Sequence, residues 1–190
     1  MRIMRRAEYR RMPWKNGQGV TEEVATFPAE SGIDDFGWRL SIAHVGADGP
    51  FSVFAGIDRS IALLDGRGLT LDLPQERTVK LMRDGPPFAF SGDWKVSSRN
   101  LDGPTIDFNM MTRRGRFTHE TLRLTLGFNE TLTAPAFGWA VFNTQSKIEV
   151  AGQELAIERF DAISLDAGDS FTSSLNHPSE VVFTRIDLAE

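Results

Sequence analysis

The residues of this sequence with most chemistry to offer are an arginine, a lysine and two asparagines, each set beside aromatic residues or glycines. Arg59 closes the stretch DGPFSVFAGIDRS (Asp48 to Ser60), just ahead of the apolar run Ile61 to Leu64. An arginine there either lays its stem along apolar surface with its head in water, or points inward as a planar fork for a carboxylate. Lys15 and Asn16 follow Trp14 in MPWKNGQGVTEE (Met12 to Glu23). Glycines in such a loop let backbone N–H groups converge on an anion, and Lys15 would add charge. The competing reading is a plain turn before a strand over 20–25. Asn109 lies in IDFNMMTRRGR (Ile106 to Arg116), where strand alternation puts Asp107, Asn109 and Met111 on one face. A buried Asn or Asp has to be hydrogen-bonded, so an inward Asn109 is either a ligand contact or a member of a core network. Arg113, Arg114 and Arg116 read as a solvated turn. In FGWRLSIA, Arg39 alternates with Trp38 and Leu40 and is expected to face outward.

Other chemistries find little support. The three histidines, His44, His119 and His177, have no two within five positions, so no H-x-H or H-E-x-x-H ligand spacing occurs. Each is expected on the surface or in a loop. The chain has no cysteine, which removes disulfides, thiolate nucleophiles and thiolate metal sites. There is no G-x-S-x-G elbow and no P-loop. The GRG at Gly66 to Gly68 reads as a hairpin turn, because no helix pattern follows it. Glu22, Glu23, Asp58 and Asp107 are available for acid–base work, but spacing alone pairs none of them. No metal and no cofactor is expected.

The elements that must position these residues are strands. Trp38, Leu40 and Ile42 alternate with Arg39, Ser41 and Ala43; Leu69, Leu71 and Leu73 alternate with Thr70, Asp72 and Pro74; Leu122, Leu124 and Leu126 alternate with Arg123, Thr125 and Gly127. Period two marks strands with one buried and one wetter face. Asp-Gly and Gly-Asp pairs punctuate them as turns. No sustained 3.6-residue stripe appears, so the fold class is all-β, a sandwich or barrel filled by 14 Phe and 4 Trp. GLTLDLPQERTVKLMRDGPPFAFSGD (Gly68 to Asp93) can be laid on SKIEVAGQELAIERFDAISLDAGD (Ser146 to Asp169), and Thr105 to Arg113 on Glu180 to Leu188. A true duplication means two β-barrels, over residues 1–115 and 116–190.

Composition bounds the partners. The 190 residues are 41% hydrophobic and 25% charged, ordinary values for a chain with a buried core. A net charge of −5 argues against direct nucleic-acid binding, which needs a basic surface. Five arginines fall in the first eleven residues, but no apolar stretch follows as in a signal peptide. No run of about 18 apolar residues exists to span a membrane. The expectation is a soluble cytoplasmic protein. Pairing through edge strands or sheet faces into a homodimer is compatible with a β protein and not fixed by the sequence.

Four stretches together resemble the HutD/Ves family: MPWKNGQGVTEEVA, FGWRLSIAHVGADGPFSVFAGIDRSIALLDGRGLTLDL, FSGD and LDGPTIDFNMMTRRGR. The resemblance is close over about residues 8–116, and W-K-N-G, G-P-F-S-x-F-x-G-x-[DE]-R and D-F-N in that order are specific. It implies a bicupin, two cupin-type barrels packed together in one chain. It also implies a non-catalytic regulator of histidine utilisation that binds a small carboxylic acid such as N-formylglutamate. Arg59 matches the family's arginine, Lys15 and Asn16 its W-K-N-G loop, Asn109 its D-F-N. Trp14, with Phe51 or Phe54, would line the pocket, Arg59 would grip the carboxylate, and the C-terminal barrel would be mainly structural. Gln18 departs from the family's three glycines after the asparagine; a left-handed backbone there would cost about 1 kcal/mol or more. The alternative is a cupin-type enzyme, an isomerase, dioxygenase or hydrolase acting on a small polar acid.

Overall fold

The computed structural model describes residues 1–190. Period-two segments become strands throughout, and the helical content is one 3-10 turn at Arg6–Glu8. The first strands are β1 (Arg2–Met4), β2 (Arg10–Pro13), β3 (Gly19–Phe27), β4 (Trp38–Val45), β5 (Gly49–Pro50) and β6 (Ile57–Asp65). Shorter ones follow: β7 (Leu69–Leu73), β8 (Arg77–Leu81), β9 (Phe88–Ser91) and β10 (Ser97–Asn100). Then come the long β11 (Thr105–Arg113) and β12 (Phe117–Leu126), β13 (Thr131–Thr133) and β14 (Gly138–Phe142). The chain ends with β15 (Ser146–Val150), β16 (Gln153–Ile157), β17 (Ala162–Leu165), β18 (Ser170–Ser173) and β19 (Ser179–Leu188). The protein is all-β.

Two compact units result. One comprises Arg10–Thr118 with Leu188–Glu190, the other Met1–Tyr9 with His119–Asp187. The residues before Arg10 thus belong with the C-terminal part of the chain, which a division after residue 115 does not anticipate. The cause is local: β1 pairs antiparallel with β17, and the buried Asp161 carboxylate accepts hydrogen bonds from the Arg5 guanidinium (2.7 Å) and the Arg6 backbone N–H (2.8 Å).

Each unit is built from two sheets. In the first, the order is β2-β3-β4-β11-β6-β9 opposite β5-β10-β7-β8; in the second it is β1-β17-β14-β19-β12 with β13-β18-β15-β16. Eight strands of each unit correspond; β2 and β3 in the first and β1 in the second are additions at the sheet edges. β6 lies between β11 and β9 as β14 lies between β19 and β17, and β7 between β10 and β8 as β15 between β18 and β16. β5 flanks β10 as β13 flanks β18, and β4 flanks β11 as β12 flanks β19. The internal repeat in the sequence is therefore a repeat of topology.

The two interiors differ. In the C-terminal unit Ala140, Phe142, Ile148, Ile163, Phe171 and Phe183 close into one apolar cluster. In the other unit Leu63, Leu69, Leu71 and Phe90 pack at one end, and a cavity opens at the other. Across the β6–β11 ladder Arg59 pairs with Met111, Ile61 with Asn109 and Leu63 with Asp107. In the β14–β19 ladder Gly138 pairs with Arg185, Ala140 with Phe183 and Phe142 with Val181. Where the β6–β11 ladder carries Arg59, Asn109 and Asp107, the interior side of β14–β19 carries Ala140, Phe142, Val181 and Phe183, and the Phe183 ring already presses within 3.1 Å of where a Gly138 side chain would start.

Candidate functional site

Strands β4, β11 and β6 lie side by side, and their register stacks polar groups in rows. Arg39, Met111 and Arg59 form one row, Ser41, Asn109 and Ile61 the next, Ala43, Asp107 and Leu63 the third. This face forms the floor of a cavity of about 620 Å³, within the range of small-molecule sites. Trp14, Lys15, Asn16, Arg59 and Asn109, the residues singled out in the sequence, all line it.

Arg59 is 7% exposed. Its guanidinium lies over three rings, 4.9 Å from the Phe90 centroid, 5.3 Å from Phe51 and 5.6 Å from Phe54. Aromatic faces attract a cation, each by about 0.5–2 kcal/mol according to desolvation, so the phenylalanines hold the fork where water cannot. One arm donates to Asn109 Oδ1 (2.8 Å), while Nε has no partner. Burial lowers the Arg59 pKa to about 10, against the pull of Asp107, and the group stays cationic at neutral pH.

Asn109 is a connector. It accepts from Arg59 and donates through Nδ2 to Asp107 Oδ1, so both ends of its amide are engaged. Asp107 is 1% exposed, and its Oδ2 has no partner. Burial pushes its carboxyl up to about 7, with the Arg59 charge and the Asn109 hydrogen bond opposing. The floor thus holds two buried polar atoms without partners, Arg59 Nε and Asp107 Oδ2.

Arg39 does not face outward. It is 6% exposed, lines the same cavity as Arg59, and donates from Nε to Glu23 Oε2 at 2.6 Å. The alternation is that of a strand, but both faces of β4 are buried, so the polar set turns into the cavity instead of toward solvent. The signal available in the sequence was that Arg39, Ser41, Asp107 and Asn109 repeat a polar period on neighbouring long strands. Arg114 is an exposed turn residue, as expected, and in addition it reaches Asp58 (2.7 Å) and Asp93 (3.0 Å) from just beyond β11.

The WKNGQG loop is the turn of the β2–β3 hairpin and a wall of the cavity. Trp14 Nε1 donates to Thr21 Oγ1 (2.9 Å), and Asn16 Oδ1 accepts from the Gln18 backbone N–H (3.1 Å). Lys15 and Asn16 are exposed at the rim. The left-handed residue is Gly17 (φ 70°), whereas Gln18 is not among the positive-φ residues. The substitution of a glycine by Gln18 therefore carries no backbone strain, and its carbonyl accepts from Gly46 N–H (2.8 Å).

A shallower concavity of about 510 Å³ includes His44 and Asp65 in its wall. His44 is a half-buried strand residue, its Nε2 3.2 Å from Glu22, rather than a loop residue. No three His, Cys, Asp or Glu side chains gather as a metal-binding group, and no helix is long and apolar enough to cross a membrane.

A double-sheet β unit enclosing a polar-floored cavity is the architecture of cupin-type barrels. A cupin 2 conserved barrel domain protein from Leptotrichia buccalis shares the fold, with a TM-score of 0.60 at 9% identity over 93% of this chain and 92% of that one. The HutD family model matches residues 6–183, and the chain belongs to the HutD family. An uncharacterized 21.2 kDa protein in the hutC 3′ region of Pseudomonas putida is 37% identical over 172 residues, 89% of this chain and 88% of that protein. A conserved protein of unknown function from Pseudomonas aeruginosa superposes with a TM-score of 0.86 at 33% identity, covering 98% of both chains. HutD from Pseudomonas fluorescens, in its formate condition, gives 0.79 at 31% identity over 100% of this chain and 99% of that one.

Proposed function

We propose that this protein is a non-catalytic binder of a small carboxylic acid that serves histidine utilisation, in the manner of the HutD family, with N-formylglutamate as the leading ligand. The observation that carries this reading is Arg59, a buried cation with an unpartnered Nε on the floor of a cavity large enough for such an acid. Arginine's planar fork suits a carboxylate. Asn109 fixes the fork, Trp14, Phe51 and Phe54 supply apolar wall, and Lys15 and Asn16 add polar groups at the entrance. The bicupin arrangement is part of the proposal: the filled C-terminal unit is mainly structural and the hollow unit binds. The histidine-utilisation role draws support from the family and from the likeness to the HutD structure.

Calorimetric titration with N-formyl-L-glutamate, formate, glutamate and urocanate tests it. The formyl acid is expected to bind saturably, and Arg59→Ala to abolish binding while the fold persists. At a hundredfold excess over Kd the ligand adds about 2.7 kcal/mol, a melting shift of roughly 5–11 °C for a chain of this size. Unchanged affinity in Arg59→Ala removes the arginine from the site.

One observation favours the enzyme reading. A carboxyl held near neutrality beside a cation, as Asp107 is, suits general acid–base work. Incubation with N-formyl-L-glutamate, followed by proton NMR for released formate, decides it; an unaltered spectrum leaves the binding reading alone.

A further inference from the structure

We infer that Asp107 is a ligand-contacting group, and that the cavity takes up its carboxylate together with one proton, shared between that carboxylate and Asp107 beside the Arg59 fork. This deepens the carboxylate-binding reading and rests on it. In the complex, the Asp107 carboxyl accepts a proton from solvent and donates its O–H to one ligand oxygen, while Arg59 donates to the other.

The geometry leaves these two groups free. Asn109 is engaged at both ends, by Arg59 and by Asp107 Oδ1, so it orients the floor instead of supplying its free contacts. The buried polar atoms of the floor that lack a partner are Arg59 Nε and Asp107 Oδ2. Each loses its water on folding, and an unmade buried hydrogen bond is costly. A ligand oxygen pair that accepts from Arg59 and meets Asp107 satisfies both atoms at once.

Charge then decides the protonation state. The charged group acting on Asp107 is Arg59 from β6; Arg39 from β4 lines the same cavity farther along the ladder, opposite Met111, and is already bonded to Glu23 of β3. Lys15 stands at the rim before Gly17, Asp48 before β5, and the facing sheet brings only uncharged residues to the lining, Gly49 and Pro50 of β5 and Ser98 of β10. With Asp107 ionised, its charge cancels that of Arg59 and the floor has nothing left for an anion. With Asp107 neutral, one positive charge awaits one carboxylate. Two carboxylates confined to one buried site do not both ionise, so binding draws a proton in. Burial has already brought Asp107 to about 7, which makes that proton available near neutrality.

The test is calorimetry of the whole chain with N-formyl-L-glutamate and with formate at about pH 5.5, 7 and 8.5, in buffers of different ionisation enthalpy. The ligands' own carboxyls are ionised throughout this range. Close to one proton is expected to enter per ligand at the highest pH and close to none at the lowest. Affinity is expected to weaken about tenfold per pH unit above 7. Asp107→Asn is expected to lose both the proton uptake and the pH slope; if that variant does not fold, the wild-type proton count decides alone. Binding with no proton uptake at the highest pH and level affinity overturns this inference and leaves the carboxylate-binding reading standing. Absence of binding by either acid at every pH overturns both.

Discussion

Asn109 shows how a single side chain couples the groups around it. Replacing it by Ala leaves an arm of Arg59 and an oxygen of Asp107 without partners in a buried place. Each such loss costs about 1–3 kcal/mol, so Asn109→Ala is expected to lower the urea-unfolding free energy by roughly 2–4 kcal/mol. A loss under about 0.5 kcal/mol, typical of surface changes, would mean water replaces the amide. Asp107 gives a pH signature of its own. Its folded pKa, near 7, lies above its unfolded value, near 3.9. Between those values the native state holds more protons than the unfolded one, so this group's contribution falls as pH rises through that window and levels off above it. The stability of Asp107→Asn relative to wild type is therefore expected to rise from pH 4 to 8, by roughly 2–4 kcal/mol. A flat difference between the two unfolding series would place the wild-type titration elsewhere. At this scale Arg59 and Asn109 were legible, because a charge at the edge of an apolar run and an amide within a strand stand out against their surroundings. Arg39 was not, since a polar residue facing a cavity and one facing solvent follow the same alternation.

The β2–β3 hairpin is where element geometry depends on single residues. A Cβ on Gly19 would come within 2.6 Å of the His44 carbonyl oxygen and 2.7 Å of the Trp14 ring. Gly17 has open space around it and needs only its left-handed backbone. Gly17→Ala is thus expected to cost about 1–2 kcal/mol through backbone strain alone. Gly19→Ala is expected to cost at least as much, about 1–3 kcal/mol of overpacking, and in addition to displace Trp14 from the cavity wall. Trp14 fluorescence, measured beside thermal melting, separates the two; a shift in emission from Gly17→Ala but not Gly19→Ala would reverse the assignment. The sequence announced this loop by its glycines and amide. It did not say which glycine serves conformation and which serves close approach, because that depends on β4, which is distant in sequence and adjacent in the sheet.

Across the whole molecule, the first nine residues are the least expected feature. Their arginines look like surface charge, yet β1 completes a sheet edge against β17, Arg5 reaches the buried Asp161, and Tyr9 Oη donates to the Phe160 carbonyl at 2.8 Å. Removing residues 1–9 is expected to speed amide hydrogen exchange in β17 at least tenfold while sparing β6. Equal acceleration in both strands would mean the segment supports the molecule globally. The duplicated topology was readable because strand, turn and Gly-Asp spacing recur in both halves. The allegiance of the N-terminal segment was not, since only long-range pairing reveals it.

That duplication, one copy hollow and one filled, has a consequence for inheritance. The two halves tolerate substitution on different physical grounds. In the filled copy, positions such as Phe142 and Phe183 are constrained by volume, and exchanges among apolar residues of similar size cost little. In the hollow copy, Arg59, Asn109 and Asp107 are constrained by charge and hydrogen-bond count, for which no substitute of equal size exists among the apolar residues. Saturation mutagenesis read out by ligand binding is expected to show this divide directly. The C-terminal unit should accept many synonyms at each core site, and the three floor positions almost none.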